Sequence, residues 1–183
     1  MSTALILIDI QNDYFPGGRM ELAGSTEAAA AAARLLTGFR QTRWPVFHIR
    51  HLSTRPNATF FLPDTPGCEI HGSVLPLPEE PVIIKHYPNA FRETDLLDRL
   101  KAAGIDRLLL CGMMTSMCVD ATTRAAFDLG FSCTVAGDAC ATRDLAFEGE
   151  TVPARHVHGA FLAALGAVYA DIRHTDAILE GLA

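Results

Sequence analysis

The sequence predicts an α/β fold in which a parallel sheet is covered on both faces by helices. Three observations predict it. Short apolar runs (Leu5 to Ile10, Pro45 to His51, Val82 to Lys85, Arg107 to Cys111, Phe131 to Ala136, Ala167 to Ala170) recur along the whole chain. Helix-compatible segments separate most of them, and strict alternation of this kind implies parallel strands joined by right-handed crossovers. The first and fourth runs are almost purely aliphatic, as expected of strands buried on both faces.

Composition sets the limits. The chain has 183 residues, 49% hydrophobic and 20% charged, which suits one domain spanning 1–183 with a full core. Net charge is −6 with no basic cluster, so neither nucleic acid nor an anionic membrane is an expected partner. No run approaches the roughly 18 apolar residues of a membrane span. The N-terminal residues lack the basic region of a signal peptide. Five cysteines (68, 111, 118, 133 and 140) form no Cys-x-x-Cys pair, and their odd number fits reduced thiols in the cytoplasm.

The elements follow in order. Leu5 to Ile10 is strand one, with Asp9 at its end. Gln11 to Gly18 is a loop by its turn residues. Ser25 or Thr26 is expected to cap an alanine-rich helix over about Glu27 to Thr42. Pro45 to His51 is strand two. Leu52 to Pro81 is a long connection; counted to Pro88 it holds seven of the ten prolines. A connection of that length is usually functional or disordered, and anchors such as Phe60, Phe61, Ile70 and Val74 favour an ordered lid. Val82 to Lys85 is a short strand. Glu93 to Ala103 is a helix closed by Gly104. Arg107 to Cys111 is a strand, after which Gly112 frees the backbone for a turn. Thr115 and Ser116 are expected to cap a helix through Leu129, with Gly130 closing it. Phe131 to Ala136 is a strand and Gly137 to Thr142 a loop at its end. Thr151 or Pro153 opens a helix to about Leu165, Ala167 to Ala170 is the last strand, and Thr175 caps a terminal helical turn.

Three chemically apt residues lie at or just beyond strand ends: Asp9, Lys85 and Cys118. In a parallel sheet all carboxyl ends share one edge, so residues distant in sequence converge there. Taken singly, Asp9 reads equally well as a turn cap, Lys85 as a solvated cation and Cys118 as a buried thiol. Taken together they form a nucleophilic site. A thiol attacks as thiolate, an ammonium beside it stabilises that charge, and a carboxylate moves the proton. The start of a helix would also favour the thiolate.

The segments Asp9-Ile-Gln-Asn-Asp-Tyr-Phe15, Lys85-His-Tyr-Pro-Asn-Ala-Phe91 and Gly112-Met-Met-Thr-Ser-Met-Cys118-Val resemble, in order and spacing, the three motifs of the isochorismatase-like cysteine hydrolase superfamily. That resemblance covers nearly the whole chain. It implies a Rossmann-like three-layer α/β/α sandwich with a six-stranded parallel sheet. It implies hydrolysis of a small amide, ureido or N-carbamoyl substrate through a thioester-type intermediate. Asp9 would be the general acid/base, Lys85 the orienting and charge-stabilising cation, and Cys118 the nucleophile. A non-proline cis peptide between Met113 and Met114 is implied, with the backbone N–H groups of Met114 and Cys118 as an oxyanion hole. Dimers and tetramers are the family habit, so a homodimer or homotetramer is expected.

Departures from the family patterns narrow the expectation. Nicotinamidases carry an Asp-x-His metal pair after strand two. Here the segment is His48-Ile-Arg-His51, and two histidines three apart on a strand face opposite ways. No cofactor or metal is therefore expected, with a metal-assisted nicotinamidase-type amidase as the alternative. True isochorismatases lack the cysteine, so Cys118 argues against vinyl-ether hydrolysis. A thiol sensor on the same fold is a further alternative, although a sensor needs no proton shuttle. Phe15, Tyr87, Phe91 and Met117 are candidate pocket residues, with core packing as the competing reading. Arg50, His51 and Arg55 are candidates for holding a substrate carboxylate, with a structural or solvated role equally open.

Overall fold

The computed structural model describes residues 2–182. Six strands form one fully parallel sheet: β1 (Thr3–Ile8), β2 (Val46–His51), β3 (Val82–Lys85), β4 (Arg107–Met113), β5 (Ser132–Ala141) and β8 (Asp171–Arg173), in the order β3-β2-β1-β4-β5-β8. The order reverses beside β1, which makes the gap between β1 and its neighbours the natural crevice at the carboxyl edge. β1 is central and its residues Ala4 to Ile8 are all buried.

Helices flank the sheet, and the fold is a three-layer α/β/α sandwich. Helix α1 (Ser25–Thr42) packs on β1, β4 and β5 and pairs with α5 (Thr175–Glu180). Its buried residues Ala28, Ala32, Leu35 and Phe39 fall at helical spacing, so alanine brings the helix axis close to the strands while leucine and phenylalanine fill the core. Helix α3 (Asp120–Asp128) packs against α4 (Ala154–Val168) and β5, and α4 reaches β8. Helix α2 (Leu96–Ala102) precedes β4. Among the described residues no helix is long and apolar enough to cross a membrane.

Several expected boundaries move. Neither Ser25 nor Thr26 caps α1: the N-cap is Gly24, in the left-handed region at φ 74°, and Ser25 is the first helical residue. Helix α2 begins three residues later than expected because Glu93, at φ 57°, cannot be helical. Thr175 opens α5 as its first residue, and the Asp138 carboxylate accepts from its N–H at 2.8 Å, doing the capping from another element. The last strand is not Ala167 to Ala170. Leu165, in register with Ala154 and Val157 on the buried side, carries α4 on through Val168, and the strand forms at Asp171–Arg173. Gly166 permits the close packing there, since a Cβ would stand 3.1 Å from Ile172.

The expected loop after Ala136 is also strand. β5 runs on to Ala141 across an irregularity in its pairing with β4. A short hairpin, β6 (Leu145–Phe147) and β7 (Glu150–Val152), then projects from the sheet. Its turn, Glu148-Gly149, has φ 49° and 84°, the two positive values of a type I′ connection.

Gly112 is required inside β4 rather than for a turn. It pairs with Ile8 and Cys140, and a Cβ there would stand 2.0 Å from the Ile8 carbonyl oxygen at φ 126°.

The long connection after β2 is ordered, as its anchors suggest. Gln11 donates to the carbonyls of His51 (2.9 Å) and Cys68 (2.8 Å) and accepts from the His51 N–H (2.7 Å). The Asp13 carboxylate accepts from the N–H groups of Phe61 (2.6 Å) and Arg19 (3.2 Å). Gly67 lets Asp13 in, because a Cβ would stand 2.1 Å from its carboxylate. At the far end Glu80 takes Arg40 in a two-pronged ion pair at 2.7 Å.

Candidate active site

Each key residue is placed by a strand end. Asp9 follows β1 with φ 50°, an uncommon conformation for a non-glycine residue, held by its N–H donating to the Ile49 carbonyl at 3.0 Å. Lys85 is the last residue of β3 and the register partner of His51 on β2. β3 lies two strands from β1, so the long lysine side chain must pass His51 to reach Asp9. Cys118 comes from the segment after β4. There the Met113–Met114 peptide is cis, and Thr115–Val119 forms a wide turn of π type before α3.

The three meet. Lys85 Nζ lies 2.6 Å from Asp9 Oδ2, 3.3 Å from Cys118 Sγ and 2.9 Å from His51 Nδ1. Three N–H donors thus face three acceptors, which satisfies a fully buried ammonium. Asp9 and Lys85 are both 0% exposed, and Cys118 is 6% exposed.

Burial sets the proton positions as much as charge does. Removal from water raises the Asp9 carboxyl above its ordinary value, with the Lys85 ammonium pulling the other way. Burial works against the Lys85 ammonium, yet the neighbouring Asp9 and Cys118 groups raise its pKa on balance. Burial and the Asp9 charge push the Cys118 thiol up, opposed by Lys85. Burial thus works against the thiolate that the neighbouring ammonium favours. Cys118 sits in the π-type turn that runs directly into α3, just before the helix proper, as expected. Burial and the Lys85 charge lower His51 to about 3, so its imidazole is neutral. With Nδ1 accepting from the ammonium, the ring proton resides on Nε2.

Cys118 opens onto a pocket of about 160 Å³. Tyr14, Phe60 and Phe61 form one wall, in mutual ring contact at 4.5 to 5.9 Å between centroids. His51, Arg55, His86, Tyr87, Pro88, Met114 and Met117 complete it.

Of the expected binding residues, His51 and Met117 line the pocket, together with Tyr87 and Arg55. Three do not. Phe15 stacks on His71, 3.6 Å between ring centroids. Phe91 stacks on Phe131 at 6.1 Å. Arg50, one position before His51 on β2, points to the other face and donates to the Cys68 carbonyl at 2.8 Å, tying down the long connection. Thr115 and Ser116 make no capping bonds. Their hydroxyls hold the π-type turn instead, Thr115 to His158 Nδ1 at 2.9 Å and Ser116 to Thr142 at 2.8 Å. Sequence reading missed Tyr14, His86, Pro88 and His158. Tyr14 lies inside the first motif segment and so carried a signal, and Phe60-Phe61 stood out as lid anchors. His158 carried none.

His48 and His51 do face opposite ways: His48 Nε2 lies 2.9 Å from Glu80, and His51 turns to Lys85. Asp9, His51 and Cys118 offer carboxylate, imidazole and thiol atoms within 4.8 Å of one another, a donor set that suits zinc. The Lys85 ammonium contacts all three, so it stands where a cation would.

The family model described as an isochorismatase domain matches residues 3–159. This chain belongs to the isochorismatase family. Its members are hydrolases, and the chain is an enzyme of that class. It is 53% identical, over 98% of its own length and 100% of the relative's, to the isochorismatase family protein YddQ of Bacillus subtilis. It is 36% identical, over 82% of its length, to streptothricin hydrolase of Streptomyces noursei, 55% of which is covered. A solved structure from Oleispira antarctica, described as an isochorismatase hydrolase, superposes with a TM-score of 0.95 at 50% identity, covering 98% of this chain and 97% of that one.

Proposed function

We propose that this isochorismatase-family hydrolase is a cysteine-dependent amidohydrolase, cleaving a small amide, ureido or N-carbamoyl substrate through a thioester-type intermediate. The observation that carries the reading is the single Lys85 ammonium touching both Asp9 and Cys118, with only the thiol open to the pocket.

In this reading the neutral thiol passes its proton to Asp9 as Sγ bonds to the carbonyl carbon. Asp9 Oδ1 has no hydrogen-bond partner among the described residues, which leaves lone pairs to take that proton. Lys85 balances the charge on sulfur as it develops. The backbone N–H groups of Met114 and Cys118 serve the carbonyl oxygen as it becomes an oxyanion. The C–N bond then breaks, and Asp9 returns the proton to the departing amine. Water attacks the thioester, giving a proton to Asp9. The S–C bond breaks, the acid departs, and the thiol recovers its proton. One amide and one water yield one acid and one amine.

Ammonia release from a panel of primary amides, ureido acids and N-carbamoyl compounds tests this reading. Mass spectrometry of quenched turnover should find the acyl adduct on Cys118. Activity retained by a Cys118→Ala variant would overturn it. Five free thiols fit a reducing cytoplasm. A homodimer or homotetramer is part of the same reading: α4 is apolar, yet only Ala154, Val157 and Leu165 are buried, and Val168 is 62% exposed. A monomer by light scattering at micromolar concentration would refute that part.

A further inference from the structure

The pocket has a charge pattern that the hydrolytic chemistry does not use. No carboxylate lines it. Asp9 lies behind Cys118 and is neutralised at 2.6 Å by Lys85, so its charge is spent within the buried pair. The one lining residue with a permanent charge is Arg55, in a protein whose net charge is −6.

Arg55 is exposed, and among the described residues its guanidinium has neither an ion-pair partner nor a hydrogen-bond acceptor. Other arginines nearby are engaged. Arg92 lies over the Tyr87 ring at 3.6 Å, and Arg50 is paired with Glu69.

The backbone at Arg55 is built, not loose. The Ala58 N–H donates to the Arg55 carbonyl at 3.2 Å across Pro56 and Asn57, and Asn57 has φ 62°. Proline at the second and a positive-φ asparagine at the third position are the residues of a type II turn. The Ser53 N–H donates to the Phe61 carbonyl at 2.9 Å, closing the segment at its base. Phe61 is in turn held by Asp13. A rigid turn therefore presents a free guanidinium at the pocket rim.

One imidazole supports the same polarity. Neutral His51 carries its proton on Nε2 because Nδ1 faces Lys85, whereas the His86 Nδ1–H donates to the Leu52 carbonyl at 2.9 Å and holds that ring against the backbone. Phe60, Phe61, Pro88, Met114 and Met117 leave the rest of the wall largely apolar.

We infer that the substrate carries an anionic group, a carboxylate in the simplest case, which the Arg55 guanidinium holds while the scissile carbonyl sits on Cys118. The planar fork of arginine matches a carboxylate in two-pronged geometry, which lysine does not reproduce. The substrate class is then a small amide or ureido acid rather than a neutral or cationic amide. This rests on the amidohydrolase reading only for the word amide; the anion site stands on the pocket alone.

The test uses two independent readouts. The first is the ratio of Cys118 alkylation by iodoacetate to that by iodoacetamide, each referred to a free thiol and read by peptide mass spectrometry. The anionic reagent should be favoured in the wild-type protein. Arg55→Ala should lower that ratio about 10-fold or more, on the scale of one charge-assisted contact. Arg55→Glu should lower it further, and Arg55→Lys should restore it in part. The second readout is kcat/KM for matched amides with and without a terminal carboxylate, such as succinamate and butyramide. The carboxylate should be preferred in the wild-type protein, and the ratio should collapse in Arg55→Ala mainly through KM. A normal alkylation ratio, or one that Arg55→Glu leaves unmoved, would overturn the anion site. Anion-favoured alkylation with no amide hydrolysed would support the site and overturn the amidohydrolase reading instead.

Discussion

Lys85 Nζ and Cys118 Sγ, thirty-three positions apart in the chain, lie 3.3 Å apart in a site from which water is nearly excluded. The cation is fixed by a second contact, the 2.6 Å approach to Asp9. A thiol in such a place is raised by burial and by Asp9, so it becomes a nucleophile only as its proton leaves. Asp9 is the group positioned to receive it.

Removing the proton acceptor should therefore cost turnover. Asp9→Asn keeps size and polarity but loses the basic oxygen. Turnover is expected to fall by the ~10²–10⁴ associated with a general acid/base. Cys118→Ala should be inactive, and the double variant no worse than Cys118→Ala, because the residues act as a unit. Steady-state ammonia release decides it, and near-normal turnover in Asp9→Asn would contradict the scheme.

The thiol's protonation gives a pH signature. Because the thiol is held above the ordinary cysteine range of about 9, alkylation of Cys118 by iodoacetamide should keep rising with pH through 9. Lys85→Met removes the charge that opposes this rise, so labelling at neutral pH should slow further. A plateau near neutrality in the wild-type protein would show a resting thiolate. Despite its raised pKa, Cys118 should react before Cys68 and Cys111, which are 0% exposed and outside the pocket.

The buried pair should show in stability. Lys85→Met leaves Asp9 without its cation, and breaking a buried ion pair from one side costs about 3–5 kcal/mol. The Asp9→Asn, Lys85→Met double variant removes both charges and should recover much of that loss. Urea denaturation of the four proteins measures it, and additive losses would mean that the pair is not coupled.

A separate acid-sensitive clasp lies at the end of the long connection. Burial alone would raise Glu80, but Arg40, the Leu77 N–H and His48 outweigh it and lower Glu80 to about 2. A depressed carboxyl contributes stability that is present above its ordinary value of 4.5 and lost as pH falls from there towards 2. Glu80→Gln should therefore lower stability at pH 7 and flatten its decline below pH 4.5. Equal slopes in chemical denaturation across that range would refute the assignment.

Much of this was legible in the sequence because strand ends are local events. The aliphatic runs before Asp9 and Gly112 marked buried parallel strands, and parallel strands bring their carboxyl ends to one edge whatever the connections do. That alone predicted the convergence of Asp9, Lys85 and Cys118. Helix starts were less legible. Gly24 and Glu93 adopt positive φ, which places the starts of α1 and α2 after them, and α4 ran past its expected end because Leu165 still had a core to bury.

The pocket walls and the proton positions belonged to the tertiary structure. Phe15 and Arg50 sit beside true lining residues in sequence yet face elsewhere, since one step along a strand or loop reverses a side chain. The thiol's pKa followed the same rule. A sequence places Lys85 near Cys118, but only packing excludes water, and desolvation then outweighs the attraction of the ammonium.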